Sequence, residues 1–138
     1  MLPFFTLVFL GFNVFGQNLS TEFSLPLAGN AYSSFHLDGD QTITNEGISN
    51  WTNPEEYFTV YFRISKPGVV RISLDEPLSI DGKSVLEFGI KNKSKKIKFD
   101  ESKKHPNLIG EWKINDIGYV ALTIKGISKT KNNFPSIS

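Results

Sequence analysis

Between Asn45 and Asn53 the chain sets one large aromatic, Trp51, among amide and carboxylate side chains: Asn45, Glu46, Asn50 and Asn53. Sugars present apolar CH faces ringed by hydroxyls. A site that holds them needs a flat, exposed aromatic for the face and fixed amides or carboxylates for the hydroxyls. Those residue types fall together in this loop. Directly after it, Tyr57, Tyr61 and Arg63 recur at alternate positions and extend the same polar surface if that face of the segment is open. The competing reading of Trp51 is a loop aromatic folded under to cap one end of the core.

Other chemistry is less well supplied. His36, Asp38 and Asp40 alternate, which on a strand would turn them one way, as metal ligands require. Yet Asp38-Gly39 is a turn signal and no complete calcium-loop pattern follows, so neither a metal nor any other cofactor is expected. Glu55 and Glu56 are adjacent, would point to opposite faces of a strand, and read as solvated loop acids rather than a catalytic pair. With two histidines far apart and no cysteine, no nucleophile stands with a base, and an enzyme is not expected. A glycosidase pairing Glu46 with a distant acid has nothing in the spacing to support it.

Lys91, Lys93, Lys95, Lys96, Lys98, Lys103 and Lys104 crowd one segment of a chain whose net charge is only +1. No arginine stands among them, and Phe99 alternates to the side opposite Lys96 and Lys98, so nucleic acid is not the expected partner. The lysines read as guards of an edge hairpin against pairing with a neighbour.

The elements that must position these residues are strands. Met1–Gly16 is an apolar run too short to span a membrane, with a small-residue cleavage point at Gly16-Gln17. It reads as a signal peptide that leaves no stable membrane insertion and sends the product to the periplasm, the cell surface or the medium. Residues 17–138 then form one domain. Phe58, Val60, Phe62 and Ile64 alternate with Tyr57, Thr59, Tyr61 and Arg63, the period of a half-buried strand. Lys66-Pro67-Gly68 and Asn115–Gly118 read as hairpin turns, to Val70, Ile72 and Leu74 and to Val120, Leu122 and Ile124. Leu86–Ile90 and Ile97–Phe99 read as another hairpin. Trp112 shares a face with Gly110 and Ile114 and reads as core. Leu25–Tyr32 reads as the first strand. Gly126–Ser138 reads as a loop entering a last strand that is barely begun, as in a fragment of a longer protein. Strands at intervals of about ten residues predict an all-β, antiparallel β-sandwich of jelly-roll type.

Four blocks carry a resemblance: Leu25-Pro-Leu-Ala-Gly-Asn-Ala-Tyr32, Gly47-Ile-Ser-Asn-Trp-Thr-Asn-Pro54, Tyr61-Phe-Arg-Ile-Ser-Lys-Pro-Gly68, and Gly118-Tyr-Val with Gly126-Ile-Ser-Lys-Thr130. In that order they resemble the bacterial family called domain of unknown function 5077. The resemblance implies an exported protein of Bacteroidetes-like bacteria, often with a companion domain, and a sandwich similar to carbohydrate-binding modules, some of which hold a structural calcium. It transfers no catalytic residues. The expected function is a non-catalytic module that binds a glycan or polysaccharide. The alternative is a docking domain whose Tyr57, Tyr61 and Arg63 are covered by a companion domain or protein.

Overall fold

The computed structural model describes residues 4–10, 20–35, 42–75, 78–105 and 107–138, those before residue 24 as backbone only. Among them are eleven strands and no helix: β1 (Phe4–Leu10), β2 (Ser20–Pro26), β3 (Ala31–Ser33), β4 (Ile43–Thr44), β5 (Gly47–Ile48), β6 (Tyr57–Ile64), β7 (Gly68–Leu74), β8 (Lys83–Ile90), β9 (Lys93–Asp100), β10 (Leu108–Ile114) and β11 (Gly118–Lys129). Two antiparallel sheets pack against each other, as the predicted β-sandwich requires. One has the order β10-β7-β1-β2 and the other β3-β6-β11-β8-β9, while β4 and β5 make a small ribbon. The core between them takes the alternate residues that the sequence marks as apolar. Phe58, Val60, Phe62 and Ile64 come from β6, Leu86, Phe88 and Ile90 from β8, and Val120, Leu122 and Ile124 from β11. They meet Val70, Ile72, Leu74, Trp112 and Ile114 of the facing sheet.

Two of the three predicted hairpins are not hairpins. β6 pairs with β3 and β11 while β7 pairs with β1 and β10, so the Lys66-Pro67 link carries the chain from one sheet to the other. The Asn115–Ile117 link does the same between β10 and β11. Three extended residues reach about 10 Å, which is about the distance between sheets packed face to face. Alternation says which side of a strand is buried and is silent on its neighbours. The β8–β9 hairpin does form, in register from Lys83↔Asp100 to Ile90↔Lys93. β9 is an edge strand and its lysines are exposed, as edge protection requires.

Both ends of the described chain join the sandwich. β1, within the segment read as a leader, stands between β2 and β7 and runs antiparallel to both. Leu25–Tyr32 is divided between β2 and β3 by a turn at buried Leu27, where Ala31 N donates to Leu27 O at 2.8 Å. The last residues are a packed part of the sandwich. β11 continues through Ile127 and Ser128, and the chain then folds back so that Phe134 and Ile137 are buried. Ile137 exchanges backbone hydrogen bonds with Ile48 at 2.7 and 2.9 Å. That approach needs Gly47, which has φ +116° and no room for a Cβ beside the Ile137 backbone. His36, Asp38 and Asp40 lie outside the described residues.

Gly126 faces the Phe134 ring closely enough that a Cβ would overlap three of its carbons. Gly126→Ala is therefore expected to push Phe134 out of place and destabilise the fold by about 1–3 kcal/mol, read as a lower urea midpoint. An unchanged midpoint would show that the tail does not pack on β11.

Candidate functional site

Trp51 is fully buried, at 0% exposure. Its ring meets Phe58 edge-on at 4.9 Å and Phe134 at 4.6 Å between centroids, and its Nε1 donates to Asn53 O at 2.9 Å. A ring enclosed on its faces cannot stack on a sugar, so Trp51 is the cap of the core and not a binding platform. The polar residues around it shape the loop. Asn45 and Glu46 form the exposed β4–β5 turn, where Glu46 N donates to Thr44 Oγ1 at 3.1 Å. Asn50 adopts φ +53°, a left-handed position that Asn tolerates. The Asn53 side chain accepts from Glu55 N at 2.9 Å. Lys129 Nζ donates to the carbonyls of Thr52 and Asn132, tying this loop to the tail.

Glu56 is not a solvated acid. It is 8% exposed, and its Oε1 accepts from Ser33 Oγ at 2.6 Å and Thr42 Oγ1 at 2.7 Å. The carboxylate thereby joins β3, the β4 approach and β6. Trp112 is buried as expected, with Nε1 donating to Lys93 O at 3.0 Å and Lys95 Nζ 5.4 Å from the ring centroid.

The remaining predicted site residues, Tyr57, Tyr61 and Arg63, are exposed on the outer face of the five-stranded sheet. The register brings others to them. Tyr32 of β3 stands opposite Thr59 and meets Tyr61 edge-on at 5.6 Å, Lys125 stands opposite Tyr57 with Nζ 5.8 Å from its ring centroid, and Tyr119 stands opposite Arg63. All four tyrosines of the chain thus lie on this one face, each at least 43% exposed, whereas both tryptophans are buried. Farther across, Thr59, Thr123, Gly89 and Ser94 form one row and Tyr57, Lys125, Glu87 and Lys96 the next. A shallow hollow of about 200 Å³ lies there, lined among others by Glu87, Gly89, Ser94, Thr123 and Lys125. Aromatic faces beside hydroxyl, carboxylate and ammonium groups are the residue types that the sequence also gathers in the Trp51 loop, here on a rigid sheet. The period-2 pattern carried a signal for Thr123, Lys125 and Glu87 as outward residues. Their meeting depends on cross-strand register, which it does not encode. Among the described residues no group of histidines and carboxylates is placed to hold a metal ion.

Beyond β9 an ion cluster ties down the turns. Hydrogen bonds from the Ser102 hydroxyl and N–H hold the Asp100 carboxyl below its usual range. Glu101 is likewise lowered, first by the Gly82 N–H and then by Lys131, whose own pKa is raised by that contact at 3.0 Å.

A family model described as "Domain of unknown function (DUF5077)" matches residues 25–138. The match takes in the end of β2 and every later strand but not β1. No curated protein matches the chain.

Trp51→Ala should cost about 3–5 kcal/mol as a core truncation, seen as a large fall in thermal midpoint. A fully folded variant with an unchanged midpoint would contradict the core-cap role. The depressed Asp100 and Glu101 values stabilise the fold at pH above the ordinary carboxylate range, and that contribution is lost as pH falls through the folded-state values. The difference in urea midpoint between about pH 6 and about pH 3 is expected to shrink modestly in Lys131→Met, which removes the Glu101 contact, since both partners of that pair are exposed.

Proposed function

From the premise that the chain belongs to the DUF5077 family, we propose that it is an exported, non-catalytic carbohydrate-binding module whose ligand surface is the outer face of the five-stranded sheet. The observation that carries this reading is the segregation of aromatics: the tryptophans serve the core, and every tyrosine faces solvent on one sheet. Tyr32 and Tyr61 touch, and exposed apolar surface gathered into one patch marks an interaction site where the same surface scattered singly does not. Tyr32, Tyr57 and Tyr61 offer ring surface to the apolar faces of a sugar chain. Thr123, Glu87 and Lys125 offer partners for its hydroxyls from the neighbouring strands. Backbone hydrogen bonds on both sides of β6 and β11 hold these groups at fixed spacing, which lowers the ordering cost of binding.

The non-catalytic part of the proposal is supported by what the acids do. Glu56 accepts from two hydroxyls, and Asp100 and Glu101 close turns. Export is supported by the apolar run of Met1–Gly16 and by a family match that starts only at residue 25. On this reading β1 is removed with the leader and the domain works on the strands that follow it.

Affinity electrophoresis of the exported chain through gels containing neutral and charged polysaccharides tests the module directly. At least one polymer should retard it, and Tyr61→Ala or Tyr32→Ala should abolish most of the retardation with no change in thermal midpoint. Passage through a broad panel without retardation would overturn the glycan reading and favour a docking face for a protein partner. The mass of the exported chain should correspond to a start at Gln17. A mass that includes Met1 would contradict leader removal.

A further inference from the structure

Among the described residues, each edge of the two sheets carries a feature that discourages a further neighbour. β3 is only three residues long, β9 exposes its lysines, and β10 has a register shift between Leu108 and Gly110 and exposes Glu111 and Lys113. β2 carries Glu22 and ends on Pro26, a residue that sheets accept at an edge. β7 is built otherwise. Gly68–Leu74 contains neither proline nor lysine, Val70, Ile72 and Leu74 are buried, and its one charge, Arg71, is engaged by Glu111 of β10 at 2.5 Å. That is the make-up of an interior strand, and β7 lies between β10 and β1.

β1 lies wholly within Met1–Gly16. Once the leader is removed, β7 keeps β10 but loses its partner along Val69–Leu74, and β2 loses the strand it pairs with. Between them is left a slot one strand wide, about 10 Å from wall to wall. β2 and β7 both run antiparallel to β1 and hence parallel to each other. β2 could close the slot only by moving a full strand spacing into a parallel ladder, the less stable kind. Its end is also held in place, by the turn at Leu27 and by Asn30 Nδ2 donating to Pro26 O at 2.8 Å.

We propose that in the exported protein this slot receives an extended apolar segment of a partner protein, which adds to β7 as a strand and restores the four-stranded sheet. The inference rests on leader removal and not on the tyrosine face, which belongs to the other sheet. β1 shows the chemistry that fits. It is seven residues of Phe, Thr, Leu and Val without a charge, antiparallel to β7 from Phe5↔Leu74 to Leu10↔Val69. Residues opposite one another in an antiparallel pair share a side of the sheet. The donated segment therefore needs apolar residues at the three alternate positions opposite Val70, Ile72 and Leu74, where it meets the core. The positions opposite Val69, Arg71 and Ser73 lie on the half-buried outer side and accept a small polar residue, as Thr6 stands opposite Ser73.

The test is hydrogen exchange of the exported chain by mass spectrometry, with and without a synthetic peptide of residues 4–10 that carries two added lysines at each end for solubility. The intact mass from the same sample shows whether the leader is gone. With a start at Gln17, the slot-facing amides of Val69–Leu74 should exchange fast in the free chain. The peptide should slow them about tenfold, saturably, and leave the β8–β9 hairpin unchanged. A peptide with Leu7→Pro, which places proline opposite Ile72, should give no protection. Slow exchange of Val69–Leu74 in the free chain, from β2 or a second copy closing the slot, would overturn the proposal and leave export standing. So would a peptide that gives no protection, or one no better than its proline form. A mass that includes Met1 would overturn both, since β1 then keeps the slot.

Discussion

The pairing of β6 with β11 is the constraint on which the rest of the molecule depends. From Tyr57↔Lys125 to Ile64↔Gly118 the two strands run in unbroken register at the middle of their sheet. Side chains on a strand alternate sides, so this register decides at once which residues make the core and which make the surface. A slip of one residue would carry Phe58, Val60, Phe62 and Ile64 into water and drive Tyr57, Tyr61 and Arg63 inward. Each large apolar side chain so exposed would forfeit about 1.5–3 kcal/mol of burial, a large sum beside the net stability of a small domain. The energy that forms the core therefore also fixes the positions of the outer tyrosines.

A second set of contacts closes the end of the sandwich that β6 and β11 leave open. Trp51 fills the space between Phe58 and Phe134, and the returning tail is held by backbone bonds to Ile48 and Trp51. Gly47 and Gly126 permit that return, one by its backbone conformation and the other by leaving room for an aromatic ring. Glu56 pins the neighbouring corner through two hydroxyls. These polar and aromatic residues, which in sequence look like a ligand loop, are what makes the core continuous up to its end.

That difference marks how far the sequence could be read. The strands of the core, the burial of Trp112, the β8–β9 hairpin and the sandwich class follow from period-2 alternation and turn residues, which are local properties. The two mistaken hairpins, β6–β7 and β10–β11, have the same local signals as a true one, and only partner choice across the sheets separates them. Trp51 departs from the ligand-loop expectation for a related reason. An aromatic among asparagines looks the same in sequence whether its ring meets solvent or meets Phe134, which lies 83 residues later. The tyrosine face was half legible: Tyr57, Tyr61 and Arg63 were marked by alternation, whereas Tyr32 and Tyr119 joined them through strand order.

The central claim is that the outer face of the five-stranded sheet, rather than the Trp51 loop, meets the ligand. Tyrosine-selective chemical labelling of the exported chain, read by mass spectrometry with and without a polysaccharide that retards it, tests this most directly. All four tyrosines should label in the free chain, and Tyr32, Tyr57 and Tyr61 should be protected when the polysaccharide is bound. Equal labelling of those tyrosines in the free and bound chain would contradict the account and place the ligand elsewhere on the molecule.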